Sequence, residues 1–193
     1  MLELEKAKII KSRLSDDEFY DFCLKNKNYK FERSSKGIIE FKANTGGITG
    51  SYNAEITADF AIWNRQSKMG KVFDSSTTFR LPSSAARSAD VAWVNIESWN
   101  ELDLAQQTKF PPICPDFVLE LMSNTDSLKE AQRKMSEEWM ANGCKLAWLI
   151  NPKTQKSYIF RPNQAIEIVA GFDKKLSGEG ILVNFQLDLS ILK

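Results

Sequence analysis

Two apolar segments joined by a helical one constrain the fold of this chain most. Residues 117–122 and 146–150 are each typical of a β-strand that is apolar on both faces, and a stretch of helical spacing from Ser127 to Ala141 separates them. Strands connected through a helix in this way run parallel and pack against that helix. We therefore predict an α/β fold with a mixed β-sheet core flanked by helices.

Composition limits the classes of protein to consider. The chain has 193 residues, of which 42% are hydrophobic and 26% charged, so we predict one soluble globular domain over residues 1–193. It contains no histidine, which excludes Ser-His-Asp and Cys-His catalysis and zinc bound by histidine. The net charge of +1 gives no general attraction for nucleic acid, so a nucleic-acid enzyme would depend on a local basic patch.

Cysteine usage and hydropathy bear on the compartment. Cys23, Cys114 and Cys144 are odd in number and widely spaced, which favours reduced thiols over a disulfide framework or a zinc site. We find neither an export leader nor an apolar stretch long enough to span a membrane. We therefore expect a cytoplasmic protein that does not contact membranes.

Elements outside the central unit show weaker local signals. Ser15 to Glu18 has the form of a helix capping box, and the alternation of residues 29–41 about Gly37 predicts a β-hairpin. We thus expect an N-terminal helix and hairpin before the sheet. The other predicted elements are a loop at Gly46, Gly47 and Gly50, a helix from about Asn53 to Met69 ended by Gly70, and strands near residues 71–73, 77–81, 91–94, 157–161, 166–169 and 181–189.

Two acidic residues interrupt this apolar pattern. Glu120 lies in the middle of the strand at residues 117–122, where an unpaired carboxylate would cost several kcal/mol. Asp90 begins another short apolar strand. If the two carboxylates meet at one height of the sheet, they form a pocket of hard oxygen ligands that suits Mg²⁺ or Mn²⁺ better than zinc.

The helix after the Glu120 strand supplies cations. Lys129, Arg133 and Lys134 are spread along it, and Lys134 lies beside the apolar face that includes Met135. A lysine stem can follow apolar surface while its ammonium reaches the edge of the strand. An ammonium beside two carboxylates would orient a water molecule and stabilise negative charge on a phosphate.

These residues, taken in order, resemble a known family. They look like the Uma-type putative endonuclease family of bacteria, which belongs to the PD-(D/E)xK, restriction-endonuclease-like superfamily. The resemblance runs from about Leu14 to Arg161. The matching segments are Arg87-Ser88-Ala89-Asp90-Val91-Ala92-Trp93, Pro115-Asp116-Phe117-Val118-Leu119-Glu120-Leu121-Met122-Ser123, Lys134, Gly143, and Leu146-Ala147-Trp148-Leu149-Ile150-Asn151-Pro152.

The resemblance implies a restriction-endonuclease-like core that binds Mg²⁺. Our leading hypothesis is a nuclease that uses Mg²⁺ or Mn²⁺ to cleave phosphodiester bonds, with DNA favoured as the substrate, although the residues do not distinguish DNA from RNA. The resemblance also implies that Asp90, Glu120 and the backbone carbonyl of Leu121 bind the metal. Ala89 replaces the proline of the motif, and Met122 replaces its lysine. The family is expected to supply that lysine from the next helix, which indicates Lys134, with Lys129 and Arg133 as substitutes. The superfamily often forms dimers, and a homodimer would place two sites on the two strands of a duplex.

Other interpretations of the same residues stay open. Glu120 could be a buried ion pair with Arg87 or Arg133, and Asp116 could be a cap at the start of the strand. Weaker accessory acids are Glu32, Glu40 and Glu55. The rival function is a catalytically inert module on the same fold that binds nucleic acid or protein. A third hypothesis is an enzyme that acts on small phosphorylated substrates.

Overall fold

The structure, a computed structural model, describes residues 14–193 in full and the backbone of Ile10–Lys11. Thirteen strands and five α-helices form within the described residues. The strands are β1 (Ile10–Lys11), β2 (Lys30–Arg33), β3 (Ile38–Lys42), β4 (Gly70–Asp74), β5 (Phe79–Arg80), β6 (Ala86–Arg87), β7 (Val91–Asn95), β8 (Phe117–Leu121), β9 (Leu146–Asn151), β10 (Lys156–Phe160), β11 (Glu167–Ala170), β12 (Lys175–Ser177) and β13 (Gln186–Asp188). The helices are α1 (Asp16–Lys25), α2 (Gly47–Ser67), α3 (Ile96–Asn100), α4 (Leu104–Thr108) and α5 (Leu128–Lys134), followed by a π-helical turn (Met135–Trp139) and 3₁₀ turns (Met140–Asn142 and Leu189–Leu192).

A six-stranded mixed sheet forms the centre of the fold. Its order is β11-β10-β9-β8-β7-β4, and the pair β8–β9 is parallel whereas the neighbouring pairs are antiparallel. The connection from β8 to β9 passes through α5 and the π-helical turn. The mixed sheet with helices on it, predicted from the apolar segments, is therefore confirmed.

The central strands of this sheet are buried on both faces. Along β8, Phe117, Leu119 and Leu121 belong to one hydrophobic cluster, with Ile56 and Phe60 of α2. Side chains alternate across a strand, so Val118 and Met122 belong to the cluster on the other face. That second cluster includes Met135 and Trp139 of the segment after α5, as the helical spacing predicted. Glu120 is on this second face.

A second, antiparallel sheet has the order β1-β3-β2-β6-β5. The predicted hairpin forms its centre as β2 and β3, with Gly37 in the turn at a φ of 74°. Phe31 and Phe41 lie opposite each other and pack with Phe19 of α1. The predicted capping box is also present, since Ser15 and Glu18 each accept a hydrogen bond from the other's backbone N–H, at 3.3 and 2.8 Å.

The predicted glycine loop was wrong. Gly46 is the N-cap of α2, and Gly47 and Gly50 lie in its first turns. Glycine in a helix costs up to about 1 kcal/mol relative to alanine, and burial of Ile56 and Phe60 further along α2 offsets that cost. A local propensity was thus overridden by packing.

The predicted end of that helix at Gly70 was also wrong. The helix ends at Ser67, with Lys68 in the left-handed region at a φ of 56°. Gly70 begins β4 instead, where a Cβ would lie 2.3 Å from the carbonyl oxygen of Val94. Glycine is therefore needed at residue 70 for close approach of two strands.

Other predicted boundaries also changed. The strand predicted at residues 77–81 is shorter (Phe79–Arg80), and that at residues 181–189 shrinks to Gln186–Asp188. The reason for the second change is a tight turn, in which Gly178 accepts hydrogen bonds from the backbone of Ile181 and Leu182. The turn buries Leu182 against the first cluster. Among the described residues, no helix is long and apolar enough to cross a membrane.

Candidate active site

Strands β7 and β8 bring the two predicted carboxylates together. Val91 pairs with Leu119 in the antiparallel ladder, and the same register carried one residue further sets Asp90 opposite Glu120. The carboxylate Oδ2 of Asp90 accepts a hydrogen bond from the backbone N–H of Leu121 at 2.8 Å. The register of two strands therefore places Asp90, Glu120 and Leu121 at one point of the sheet.

The helix after β8 adds a cation to this pair. The Nζ atom of Lys134 lies 2.9 Å from Oε1 of Glu120, and the side chain of Lys134 is only 21% exposed. Burial alone would lower the pKa of Lys134, but the carboxylates of Glu120 and Glu32 outweigh it and raise that pKa. Lys134 therefore stays protonated at neutral pH.

Neither of the two substitute cations contacts Glu120. Arg133 forms exposed ion pairs with Glu130 and Glu137, each at 2.9 Å. Lys129 is exposed and does not line the cleft that contains Glu120. Of the three candidates on the helix, the structure brings Lys134 to the carboxylates, and the alternative ion pair of Glu120 with an arginine is not formed.

The π-helical turn adds a hydrogen bond that the sequence analysis missed. The indole Nε1 of Trp139 donates to the same Oε1 of Glu120, at 3.1 Å. Five residues along an α-helix correspond to a rotation of about 140° from the starting direction. The wider π turn, in which the backbone N–H of Met140 donates to the carbonyl of Met135, brings residues five apart closer to one face. Lys134 and Trp139 can therefore contact one oxygen.

The surroundings of Asp90 disfavour its charged form. Burial is the main cause that raises the pKa of Asp90, to about 6, and the negative charge of Glu120 raises it further. Lys42, the backbone N–H of Leu121 and Lys134 oppose these effects without cancelling them. The charged form of Asp90 is therefore unfavourable in the folded chain.

A second group of charges adjoins the first. Arg87 is 4% exposed and donates to Glu32, Glu40 and Glu138, at 3.0, 2.9 and 2.9 Å. Glu32 also accepts from the backbone N–H of Ser88, at 3.1 Å. The sequence analysis named Glu32 and Glu40 only as weak accessory acids and did not connect them to Arg87. We call Arg87 with Glu32, Glu40 and Glu138 the Arg87 cluster.

Lys42 was missed by the sequence analysis. It lies at the end of β3, donates to the backbone carbonyl of Ser88 at 3.1 Å, and approaches Glu32 at 3.4 Å. The signal that could have found it is the alternation of the hairpin, which sets Glu40 and Lys42 on the face opposite Phe41. Lys42 thus links the hairpin to the segment just before Asp90.

Two other candidate acids do not join the site. Asp116 caps the start of β8, where it accepts from the backbone and side chain of Asn95 at 2.8 and 2.7 Å and pairs with Lys145 at 2.8 Å. It therefore acts as a strand-start cap, the simpler of its two interpretations. Glu55 is exposed on α2 and does not line the cleft.

Asp90, Glu120 and Leu121 lie on the wall of an open cleft of about 700 Å³. The hairpin, the first turns of α2, the segment after β8 and α5 surround it, and Lys42 and Lys134 line it as well. Its size and openness leave room for a polymer to enter. Its charged lining differs from the narrow, uncharged cleft that would indicate an enzyme for small phosphorylated substrates.

The donor set bears on whether a metal fits. Among residues 14–193 no group of three or more His, Cys, Asp or Glu side chains is arranged to hold a metal ion. An ion would therefore take two carboxylates, a backbone carbonyl and ligands from water or substrate, which is the pattern usual for Mg²⁺. The connected charges favour such an ion, because five carboxylates face three cations and two negative charges remain. These groups are Asp90, Glu120, Glu32, Glu40 and Glu138, with Arg87, Lys42 and Lys134.

Comparison with solved structures identifies a protein of the same fold. A putative nuclease belonging to DUF820 from Anabaena variabilis superposes with a TM-score of 0.74. It is 18% identical to this chain, and the match covers 93% of this chain and 97% of that protein. A search among curated proteins found no match. The family model described as Uma2, putative restriction endonuclease, matches residues 16–190, and the chain therefore belongs to this family.

Proposed function

We propose that this protein is a metal-dependent endonuclease that hydrolyses phosphodiester bonds in DNA. The observation that carries the proposal is the meeting of Asp90, Glu120 and the Lys134 ammonium at one edge of an open cleft. Membership of a family of putative restriction endonucleases supports the reaction and favours DNA over RNA.

In this proposal Asp90, Glu120 and the backbone carbonyl of Leu121 hold Mg²⁺ or Mn²⁺. Their oxygens are the ligands that these ions prefer, and the two uncompensated negative charges equal the charge of one divalent ion. When bound, such an ion polarises a phosphate oxygen and makes a coordinated water more acidic. The N–H of Leu121 holds the Asp90 carboxylate in place, and Trp139 does the same for Glu120.

Lys134 acts as a cation and hydrogen-bond donor in this mechanism. Because nearby carboxylates raise its pKa, it keeps its proton at neutral pH and does not serve as a general base. Its ammonium orients the attacking water and stabilises negative charge that develops on the phosphate. The side chain is held for this task by its contact with Glu120 at 2.9 Å.

The test is cleavage of a labelled DNA panel in Mg²⁺ or Mn²⁺. We expect Asp90→Asn and Glu120→Gln to abolish cleavage, and Lys134→Ala to reduce it by about 100-fold or more. The matched control is Lys129→Ala, an exposed lysine of the same helix that should leave the rate unchanged. Thermal unfolding of each variant verifies that the fold persists.

Two results would contradict the proposal. Full cleavage by Asp90→Asn would remove the proposed metal site. A wild-type protein that neither cleaves DNA nor gives a calorimetric signal with Mn²⁺ would instead support the inert nucleic-acid- or protein-binding module.

A further inference from the structure

The hairpin presents two pairs of like charges to the cleft. In the register of β2 and β3, Glu32 lies directly opposite Glu40, and Lys30 lies directly opposite Lys42. These four side chains share the face opposite Phe31 and Phe41. Like charges directly opposite each other on neighbouring strands are destabilising. Each pair therefore requires compensation.

The acidic pair is compensated within the protein. The Nη1 atom of Arg87 lies 3.0 Å from Glu32 and 2.9 Å from Glu40, so one guanidinium bridges the two carboxylates. Arg87 is buried, which strengthens the attraction relative to a surface ion pair.

The lysine pair has no such bridge. Lys42 approaches Glu32 at 3.4 Å, but Glu32 already receives Arg87 and Lys134. Lys30 is exposed, and within residues 14–193 no carboxylate pairs with it. An anion between the two ammonium groups would supply the compensation that the hairpin does not.

Both lysines line the cleft that contains Asp90 and Glu120. Lys42 is the nearer of the two to the carboxylates, since it donates to the carbonyl of Ser88, two residues before Asp90. Lys30 lies directly opposite it on the neighbouring strand. A polyanion that passes through the cleft would meet the two lysines on the hairpin wall while one of its phosphates lies at the carboxylates.

We propose that the cross-strand pair Lys30–Lys42 binds backbone phosphates of DNA next to the phosphate that is cleaved. This inference rests on the proposed function for its substrate, and it assigns the hairpin as one wall of the binding groove. Such contacts do not read base sequence; they position the strand and contribute a salt-dependent part of the affinity.

The test is binding of a short labelled DNA duplex by the full chain without divalent metal, followed by fluorescence anisotropy over a range of salt concentrations. We expect Lys30→Ala to weaken binding about three- to tenfold and to lower the slope of log affinity against log salt by about one. Lys30→Arg should retain both the affinity and the slope. The double variant Lys30→Ala/Lys42→Ala should lose more than either single variant.

Lys36→Ala is the matched control, because Lys36 is an exposed lysine in the turn of the same hairpin and does not line the cleft. Lys42→Ala also loses contacts to Ser88 and Glu32, so Lys30, which makes no ion pair with the described residues, provides the cleaner measurement. If Lys30→Ala binds like Lys36→Ala, or if the wild type does not bind DNA, the proposal is overturned.

Because the measurement needs no metal, it separates this proposal from the proposed function. Unchanged binding in the lysine variants, with cleavage lost in Asp90→Asn, would overturn the proposed phosphate contacts of Lys30 and Lys42 but not the proposed nuclease function. A reduced salt slope in Lys30→Ala, without any cleavage by the wild type, would support the phosphate contacts of the lysine pair and count against the proposed nuclease function.

Discussion

Two adjacent groups of buried acids differ in how their charge is balanced. In the Arg87 cluster, burial alone would raise the pKa of Glu32, but Lys134, Lys42 and Arg87 together lower it to about 2. At the candidate active site, burial and Glu120 raise the pKa of Asp90 to about 6. Lys42 and Lys134 lower the pKa of both Glu32 and Asp90. The surroundings of the two acids therefore differ mainly in one further neighbour, which is Arg87 for Glu32 and Glu120 for Asp90.

The difference separates a structural charge group from one prepared for a ligand. Glu32 has three cations and a backbone N–H around it, and its negative charge stabilises the folded state. Asp90 is buried beside a second carboxylate, and the nearby lysines and backbone N–H do not cancel these two effects, so its charge opposes folding until a cation binds. The contrast predicts opposite responses of stability to substitution in the two groups.

The largest effect should follow loss of Arg87. Arg87→Ala would leave Glu32, Glu40 and Glu138 without their shared partner, two of them buried. Removal of one partner from a buried ion-pair group costs about 3–5 kcal/mol. Chemical denaturation should show this loss in the free energy of unfolding, whereas the exposed arginine variant Arg133→Ala should change it by less than about 1 kcal/mol. Equal effects of the two would show that the cluster has no structural role.

Glu32→Gln should have the next largest effect, and it should depend on pH. We expect the variant to lose about 2–3 kcal/mol at neutral pH. Because the pKa of Glu32 falls from 4.5 to about 2 on folding, this stabilisation is complete above about pH 4.5 and disappears as the pH falls toward 2. Denaturation curves of wild type and variant should therefore converge in acid. A difference independent of pH would contradict the assignment.

The hydrogen bond from Trp139 to Glu120 should have a moderate effect. Trp139 and Trp148 are both fully buried, but only Trp139 donates to a carboxylate, and the indole nitrogen of Trp148 has no hydrogen-bond partner among the described residues. Both substitutions to phenylalanine lose packing, and Trp139→Phe should cost about 1 kcal/mol more. It should also reduce DNA cleavage more than Trp148→Phe does. Equal losses of stability and of cleavage would mean that this hydrogen bond does not position Glu120.

Asp90→Asn should have the smallest effect on stability, and with the opposite sign. Because the pKa of Asp90 is raised, between about pH 4 and 6 the folded chain holds a proton on Asp90 that the unfolded chain has released. The contribution of Asp90 to stability therefore falls as the pH rises through this range. Without metal, the variant should be more stable than wild type at pH 7 by about 1 kcal/mol. Denaturation in a chelator would measure this gain. A marked loss of stability would place Asp90 with the Arg87 cluster.

The elements that the sequence predicted well are those with strong local patterns. The capping box at Ser15, the hairpin about Gly37 and the strand–helix–strand unit around Glu120 all have signals within one or two dozen residues. Two of the wrong predictions came from glycines. Gly47 and Gly50 are compatible with a helix because packing further along α2 offsets their cost, and Gly70 is required by a neighbouring strand rather than by a helix end.

For the candidate site, the sequence brought forward Asp90, Glu120 and Lys134, and the structure places these three together. Their roles in metal binding and catalysis remain proposals. The ion pairs of Arg87 with the surrounding acids were not found, because Arg87 lies 55 residues from Glu32 and 51 from Glu138 along the chain. No local pattern connects residues at such separations.

The sequence by itself determined that an acid lies in a buried strand, that a second acid begins another apolar strand, and that a lysine follows on the next helix. These follow from the periodicity of apolar residues, which depends on near neighbours. Only the tertiary structure decided that Glu32 is neutralised by three cations while Asp90 is not, and that the π turn adds Trp139 to Glu120. Electrostatic interactions act through space between distant parts of the chain, so the charge balance of each acid exists only once the hairpin, the sheet and the helix are assembled.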